Sequence, residues 1–348
     1  MNKSLTFTVA ICSLNGEKHL PETLKVLFDQ IPHGTKVIVV DDGSTDRTSQ
    51  IVEQYGAVVI QHKENMGYGQ ARQSAVEACE TEILAFIDDS SVISSEWFFI
   101  LQRDWKAMHS SIVALAGPTI LTSKGEEKGY LNRNNPFTPI RSLNGKPITF
   151  FNRLINYIFP THSMHSGYIE SAGNGNLSVK VAAISQIGAY NTELAHGGED
   201  SELCGRIREI YGPKSIYFDE DLLLTQDCET FVNTLHRSYR YGGTSARAWM
   251  RNGGIPTFLP LPAFFGSALL LCIANAALIA TIAFLITYPI VISKGGSSRK
   301  FMHELYAFTD PYIRLILETA HNFGFMSSVI LSKLFLKKTK QKQKVDKK

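Results

Sequence analysis

Two apolar runs of this chain each end in a pair of aspartates. Residues 37–40 lead directly into Asp41-Asp42, and residues 83–87 lead into Asp88-Asp89. Short runs of β-branched and aromatic residues are typical of strands buried in a parallel sheet, and open α/β sheets bind ligands beyond the carboxyl ends of such strands. We therefore expect both aspartate pairs to line one polar crevice that binds a nucleotide.

Strand and helix patterns alternate around these two runs. Such alternation is typical of right-handed βαβ units and predicts a mostly parallel sheet flanked by helices. The pattern weakens over residues 121–168, which are rich in Asn, Pro, Gly and aromatic side chains and are predicted to form a functional loop region. The predicted strands are 7–12, 36–40, 57–61, 82–87 and 112–116, the predicted helices are 19–30, 45–55, 69–80 and 94–108, and further ordered elements are expected at 179–187, 199–210 and 215–218.

The size of the chain limits its domain organisation. Its 348 residues, 44% of them hydrophobic, have room for one large α/β domain and a smaller C-terminal part. We place the large domain at 1–250, with a nucleotide-binding half at 1–117 and an acceptor half at 118–250.

The net charge of +3 comes from a basic tail, because residues 337–348 hold seven lysines and one aspartate. A lysine run after an apolar region favours anionic lipid headgroups over nucleic acid as its partner. A solvated, disordered tail fits the same composition.

The cysteines and the N-terminus indicate the compartment. Five cysteines are scattered along the chain without a CxxC pair, which is typical of reduced thiols in a cytoplasmic protein. Residues 5–12 favour a first strand over a signal peptide, because polar residues follow at once and no small-residue cleavage site is present.

The C-terminal part contains a long uncharged segment. Residues 252–293 have no charged side chain, and 258–292 are almost continuously apolar. As one helix this apolar run would be about 52 Å long, against a hydrocarbon core of about 30 Å. We therefore predict a membrane hairpin over 255–293, which keeps the lysine tail on the cytoplasmic side as the positive-inside rule requires. A buried core helix is the alternative.

Charged and apolar residues interleave over the next segment, 299–336. This pattern predicts amphipathic helices that lie on the membrane surface. Packing against the chain's own domain is the alternative. Together the two segments predict a protein of the cell membrane whose catalytic domain faces the cytoplasm.

Four groups of residues have side chains that could bind a nucleotide, bind a metal or act as a base in this crevice. Asp41-Asp42 can accept hydrogen bonds from a base or a ribose, and Arg72, near the start of a helix, can stack on a base or pair with phosphate. Asp88-Asp89 repel each other unless a cation or strong donors compensate them, as a divalent metal on a diphosphate does. Glu199-Asp200 start a helix whose dipole keeps a carboxylate ionised, which suits a base. Taken singly, each pattern also fits a turn or a helix cap.

In this order the motifs resemble those of the inverting family 2 glycosyltransferases of GT-A fold, over roughly residues 5–245. Several motifs in one order are far more specific than any single motif. They read Cys12-Ser-Leu-Asn-Gly-Glu17, Val40-Asp-Asp-Gly-Ser-Thr-Asp46, Asn65-Met-Gly-Tyr-Gly-Gln-Ala-Arg72, Phe86-Ile-Asp-Asp-Ser90, Gly175-Asn-Leu-Ser-Val-Lys180 with Ile187-Gly-Ala-Tyr190, and Gly197-Gly-Glu-Asp-Ser-Glu-Leu203.

The resemblance implies a role for each matched residue. The implied nucleotide-binding residues are Ser13, Asp41, Asp42, Arg72 and Asp88. The implied ligands of Mg²⁺ or Mn²⁺ are Asp88 and Asp89. The implied base is Asp200, with Glu199 beside it, and the implied contacts to the acceptor or diphosphate are Arg237 and Arg240.

The chain departs from the family pattern at three places. The DxD motif reads Asp88-Asp89-Ser90, and Gln226 begins a segment where many relatives have a histidine metal ligand, so the tightness of metal binding stays open. Residues 237–241 read Arg-Ser-Tyr-Arg-Tyr where processive synthases have Gln-x-x-Arg-Trp, which favours an enzyme that transfers one sugar. Salt bridges to the acidic sheet edge are the alternative role of these arginines.

The sequence therefore predicts a membrane-attached, non-processive inverting glycosyltransferase. Its donor would be a nucleoside-diphosphate sugar, and its acceptor a hydroxyl of a lipid-linked or membrane-proximal glycan. A catalytically impaired, sugar-nucleotide-binding membrane scaffold is the first alternative. A sugar-nucleotide pyrophosphorylase is the second, but residues 13–17 lack its Gly-rich phosphate loop. A dehydrogenase is excluded because Arg72 stands where the third glycine of its fingerprint belongs.

Overall fold

The computed structural model describes residues 5–123, 126–127, 166–194, 197–227, 231–252 and 310–345. The chain divides into two compact units. Described residues up to 227 belong to the first unit, and residues 231–252 and 310–345 belong to the second. The helix 231–252 is therefore grouped with the C-terminal part of the chain.

Strands and helices alternate along the first unit, as the apolar pattern predicted. The strands are β1 (Phe7–Ser13), β2 (Lys36–Asp41), β3 (Val58–Gln61), β4 (Ile83–Asp88), β5 (Ser91–Ile93), β6 (Ala114–Ala116), β7 (Thr119–Ser123), β8 (Glu126–Glu127), β9 (Gly167–Tyr168), β10 (Asn176–Lys180), β11 (Ile216–Phe218) and β12 (Leu224–Asp227). The helices are α1 (Leu20–Gln30), α2 (Thr48–Gln54), α3 (Tyr68–Ala78), α4 (Trp97–Ala107), α5 (Val181–Gln186), α6 (Glu199–Tyr211), α7 (Phe231–Asn252) and α8 (Asp310–Val345).

The main sheet has eight strands in the order β3-β2-β1-β4-β10-β6-β11-β9. Strands β1, β2, β3 and β4 are mutually parallel, whereas β10 runs antiparallel to both of its neighbours. The carboxyl ends of the parallel strands therefore meet the amino end of β10 at one edge. The mostly parallel α/β sheet predicted from the sequence is confirmed.

A second sheet of four strands has the order β5-β12-β7-β8. Its short strands were not predicted, because each is too brief to show a hydrophobic period. Strand β12 pairs antiparallel with β5, and Gln226 lies opposite Ser91. This pairing holds Gln226 close to the Asp88-Asp89 motif that precedes β5.

Helices cover both faces of the main sheet. Side chains of β1 alternate between the faces: Val9 and Ile11 pack in the cluster that contains Leu24 of α1, and Ala10 packs in the cluster that contains Ala75 of α3. Each fully buried leucine or isoleucine contributes about 1.5–3 kcal/mol to the free energy of folding. The sheet thus carries a buried apolar cluster on each face, and the polar residues lie at its edge.

In the second unit, α7 and α8 pack on each other across glycines. A Cβ atom on Gly242 would lie 1.7 Å from the carbonyl oxygen of His321, and one on Gly324 would lie 1.8 Å from that of Tyr239. No larger residue fits at this crossing without separating the backbones. Leu317 and Phe325 are buried in the same unit.

The predicted membrane segments are covered only in part. The hairpin at 255–293 lies outside the described residues, as does most of the loop region 121–168. None of the helices in the described ranges is both long enough and apolar enough to cross a bilayer. From residue 310 onward the predicted interfacial segment is one helix, α8, which continues through most of the basic tail to Val345.

Candidate active site

The register of the main sheet brings the predicted residues to one edge. Ser13 at the end of β1 lies opposite Asp41 of β2, and Cys12 lies opposite Asp88 of β4. The hydroxyl of Ser13 donates a hydrogen bond of 2.7 Å to Oδ2 of Asp89. The three strand ends thus form one polar rim, as the two aspartate pairs predicted.

The Asp88-Asp89 motif is held by neutral donors. Nε2 of Gln226 lies 3.3 Å from Oδ2 of Asp88 and 3.0 Å from the hydroxyl oxygen of Ser90. Burial raises the pKa of Asp89 above its ordinary value; the hydrogen bond from Ser13 works against the rise, and the charge of Asp88 adds to it. A cation placed between the two carboxylates would relieve this repulsion.

The donor set of this motif fits a divalent metal shared with a substrate. Among the residues that the structure describes, no group of three or more His, Cys, Asp or Glu side chains is arranged to hold a metal ion. Mg²⁺ is usually bound through one or two carboxylates together with substrate phosphates, rather than in an all-protein cage. Asp88 and Asp89 meet that requirement, and the diphosphate would supply the remaining oxygens.

Asp41 and Asp42 are both buried and bonded to protein donors. Asp41 accepts from the backbone N–H of Ser44 at 2.8 Å and from the hydroxyl of Ser49. Asp42 accepts from the ring of His62 and from backbone N–H groups at the start of α3. The structure thus places both aspartates at the rim, with these hydrogen bonds fixing the loops around it. Their nucleotide contacts stay a prediction.

Arg72 forms a buried ion pair with Glu199. A guanidinium nitrogen of Arg72 donates to Oε1 of Glu199, and the guanidinium carbon lies 5.3 Å from the ring centre of Tyr68. Side-chain exposures of 11% for Arg72 and 4% for Glu199 show that water screens this pair little. In this structure Arg72 therefore holds the start of α6, and its predicted contact with a nucleobase is untested.

A second layer of polar groups supports Glu199. The amide nitrogen of Asn174 lies 3.3 Å from Oε1 of Glu199, and the hydroxyl of Tyr190 donates to Oδ1 of Asn174 at 2.6 Å. Within the described part of the chain, Oε2 of Glu199 has no hydrogen-bond partner. Glu199 is thus fixed in place and shielded from solvent.

Asp200 is the more accessible of the two adjacent carboxylates. Gly197 and Gly198, with φ angles of 112° and 86°, form the left-handed turn that begins α6. Burial raises the pKa of Asp200 to about 6, and the charge of Glu199 adds to the rise, whereas Arg72 works against it. A half-buried carboxylate with this pKa is ionised at neutral pH and can accept a proton.

One short segment connects the metal motif to Asp200. A Cβ atom on Gly175 would lie 2.6 Å from Oδ2 of Asp88, and one on Gly173 would lie 3.7 Å from Oδ2 of Asp200. The two carboxylates therefore lie against the same stretch of backbone, at glycines two residues apart. Asp88 and Asp200 belong to one site.

Sequence reasoning left several residues of this site without a role. His62 directly follows β3, so the strand-end rule that found Asp41 and Asp88 applied to it as well. Asn174 bonds Glu199 and Tyr190 bonds Asn174, and no local pattern indicates such supporting contacts. Arg237 and Arg240 lie on α7 in the second unit, and their assignment to the acceptor or the diphosphate stays a prediction.

Comparisons with known proteins agree with this geometry. The model of the family described as Glycosyl transferase family 2 matches residues 8–166. The pre-mycofactocin glycosyltransferase of Mycobacterium tuberculosis is 26% identical over 223 residues, which cover 63% of this chain and 43% of that protein. The poly(ribitol-phosphate) beta-N-acetylglucosaminyltransferase TarS of Staphylococcus aureus is 37% identical over 99 residues, 26% of this chain and 17% of that protein. The chain spans less than half the length of these curated relatives.

Among solved structures, the mannosyltransferase PcManGT from Pyrobaculum calidifontis, in complex with GDP-Man and Mn²⁺, shares the fold with a TM-score of 0.57 and 15% identity. The match covers 94% of this chain and 88% of that one. The family model supports a glycosyl transferase family 2 domain over residues 8–166, and the solved structure supports the GT-A fold that the motifs predicted. The curated relatives that the chain matches are glycosyltransferases.

Proposed function

We propose that the protein is a non-processive, inverting glycosyltransferase that moves a sugar from a nucleoside-diphosphate donor to a hydroxyl group. The observation that carries this proposal is the placement of Asp88 beside Gly175 and of Asp200 beside Gly173, two residues apart on one short segment. A diphosphate at the first carboxylate and an acceptor at the second would then lie close together. The mannosyltransferase PcManGT, which shares the fold, is in complex with GDP-Man, and this agrees with a nucleotide-sugar donor.

Asp200 acts as the general base in this proposal. Its carboxylate removes the proton of the acceptor hydroxyl while the oxygen attacks the anomeric carbon from the face opposite the diphosphate. The glycosidic bond forms as the bond to the diphosphate oxygen breaks, so the configuration at the anomeric carbon is inverted. Mg²⁺ or Mn²⁺ held by Asp88 and Asp89 would neutralise negative charge on the departing diphosphate.

A membrane location belongs to the same proposal. The uncharged run 252–293 and the exposed Phe323, Ile330 and Leu331 of α8 support attachment to the cytoplasmic face of a bilayer. A lipid-linked or membrane-proximal glycan would be the acceptor. Carbonate extraction of membranes tests the attachment: release of the protein into the supernatant contradicts insertion.

The function itself is tested with a panel of nucleotide sugars. Membranes that contain the protein are incubated with each donor, and the released nucleoside diphosphate is measured. Release of diphosphate from one donor, dependent on an acceptor, supports a glycosyltransferase. Formation of pyrophosphate instead supports a pyrophosphorylase, and binding of a donor without turnover supports a scaffold.

The pH dependence of transfer should follow Asp200. Since the base must be ionised and its pKa is raised to about 6, kcat/KM is expected to be constant above this pH and to fall about tenfold per pH unit below it. The measurement is kcat/KM between pH 4.5 and 8 at saturating metal. A profile that stays flat down to pH 5 would remove Asp200 from this role.

Transfer is expected to depend on a divalent cation. Asp89→Ala should raise the metal concentration for half-maximal activity by at least about tenfold, because one of two carboxylate ligands is lost. The measurement is a titration with Mn²⁺ and Mg²⁺ after treatment with EDTA. Asp29→Ala, which changes an exposed carboxylate of α1, is the control. Full activity in excess EDTA contradicts the metal site.

A further inference from the structure

Asp42, His62 and Ser74 form a continuous hydrogen-bonded chain behind the rim of the site. Nδ1 of His62 lies 2.6 Å from Oδ1 of Asp42, and Nε2 lies 2.9 Å from the hydroxyl oxygen of Ser74. Because a carboxylate only accepts hydrogen bonds, Nδ1 of the ring carries a proton. In the neutral ring, Nε2 then accepts from the hydroxyl of Ser74.

Asp42 also fixes the turn that precedes α3. Its Oδ1 accepts from the backbone N–H of Met66 at 2.9 Å, and its Oδ2 accepts from that of Gly67 at 2.8 Å. Gly67 has a φ of 89°, a conformation that glycine adopts readily and other residues do not. The carboxylate therefore holds the first turn of α3, whereas Ser74 ties His62 to its middle.

The same helix carries Arg72, which pairs with Glu199 next to the proposed base. Hydrogen bonds thus fix α3 at Gly67 and at Ser74, and Arg72 of α3 bonds Glu199 of α6. A shift of α3 would move the partner of Glu199 and with it Asp200. The ring of His62 bonds Ser74 directly and Gly67 through Asp42, and the side chain of His62 is only 9% exposed.

We propose that His62 is a positioning residue: by donating to Asp42, it keeps that carboxylate on the backbone N–H groups of Met66 and Gly67 and so sets α3. Arg72 on α3 then keeps Glu199 and Asp200 in the geometry that transfer needs. This inference rests on the proposed function. It acts through backbone placement, since His62 bonds Asp42 and Asp42 bonds the backbone before α3.

Two substitutions of His62 distinguish the bond that Nδ1 makes to Asp42 from the bond that Nε2 makes to Ser74. In His62→Asn the amide nitrogen replaces Nδ1, so the bond to Asp42 is kept. In His62→Gln the amide reaches the position of Nε2, so the bond to Ser74 is kept and that to Asp42 is lost. His109→Gln changes a histidine bonded only locally, to Ser111, and is the control.

Hydrogen exchange of the peptide covering residues 63–72 is the first readout, since it needs no substrate. We expect exchange at least about tenfold faster in His62→Gln, and within about threefold of the unmodified protein in His62→Asn. The second readout is kcat with the donor found in the panel. It should fall about tenfold or more in His62→Gln and be restored in His62→Asn, because small misplacements of catalytic groups are costly.

Equal exchange and equal kcat in both variants and the unmodified protein would overturn the proposal, as would equal losses in both variants. If His62→Gln fails to fold, Ser74→Ala takes its place: like His62→Asn it keeps the bond between His62 and Asp42, so exchange of residues 63–72 more than about threefold faster in that variant overturns the proposal. If no donor is turned over by the unmodified protein, the proposed function fails while the exchange measurement still decides the role of His62.

Discussion

Replacing Asp200 with asparagine is expected to lower the turnover number by about 10²–10⁴-fold, the usual contribution of a general base. Asparagine keeps the size of the side chain and can still accept the backbone N–H of Ser201, which bonds Oδ1 of Asp200 at 2.6 Å. It cannot take up the proton of an acceptor hydroxyl. The affinity for the nucleoside diphosphate should stay within a few-fold, since the proposed role of Asp200 is to act on the acceptor hydroxyl.

Two measurements test this prediction together. Turnover is followed by the release of nucleoside diphosphate, and binding of UDP and GDP is followed by calorimetry. Glu202→Gln is the matched control, because Glu202 lies in the same first turn of α6 but pairs with Arg206 four residues on. An Asp200→Asn variant that keeps more than about a tenth of the turnover would exclude Asp200 as the base.

The strand ends of this site could be predicted from the sequence. Each of Asp41, Asp42, Asp88 and Asp89 follows an apolar run, and parallel strands bring their carboxyl ends to one edge. His62 directly follows β3, so the same rule places it at this edge of the sheet as well. Local patterns of this kind need only the neighbouring residues along the chain.

The long-range pairings could not be predicted in this way. Arg72 and Glu199 are 127 residues apart, and each has a plausible local role as part of a helix start. Strand β10 runs against β4, and this direction brings Asn174 beside Glu199 although no local pattern indicates it. The contact of Gln226 with Asp88 depends on a sheet of very short strands, for which hydrophobic period gives no signal.

The different environments of the two adjacent carboxylates, Glu199 and Asp200, could not be predicted from local patterns either. By local pattern alone, Glu199 and Asp200 are equivalent candidates at one helix start, and it is the family resemblance that implies Asp200 as the base. Only the tertiary structure shows that Glu199 is paired with Arg72 and buried, whereas Asp200 is half-buried and has a raised pKa. Burial, and with it the choice of base, is a property of the folded chain.

Breaking the Arg72–Glu199 pair is expected to have the largest effect on stability. Removing one partner of a buried ion pair leaves an uncompensated charge and typically costs about 3–5 kcal/mol. Arg72→Met and Glu199→Gln should each lower the free energy of unfolding by about this amount, as measured by urea denaturation. The double variant should recover part of the loss, since it leaves no unpaired charge.

The pH profile gives this prediction a second readout that general destabilisation does not produce. Glu199 raises the pKa of Asp200 and Arg72 lowers it. Glu199→Gln should therefore move the acidic limb of kcat/KM to lower pH, and Arg72→Met should move it to higher pH. Limbs that move in the same direction, or single variants as stable as the unmodified protein, would contradict the role of this pair in setting the base.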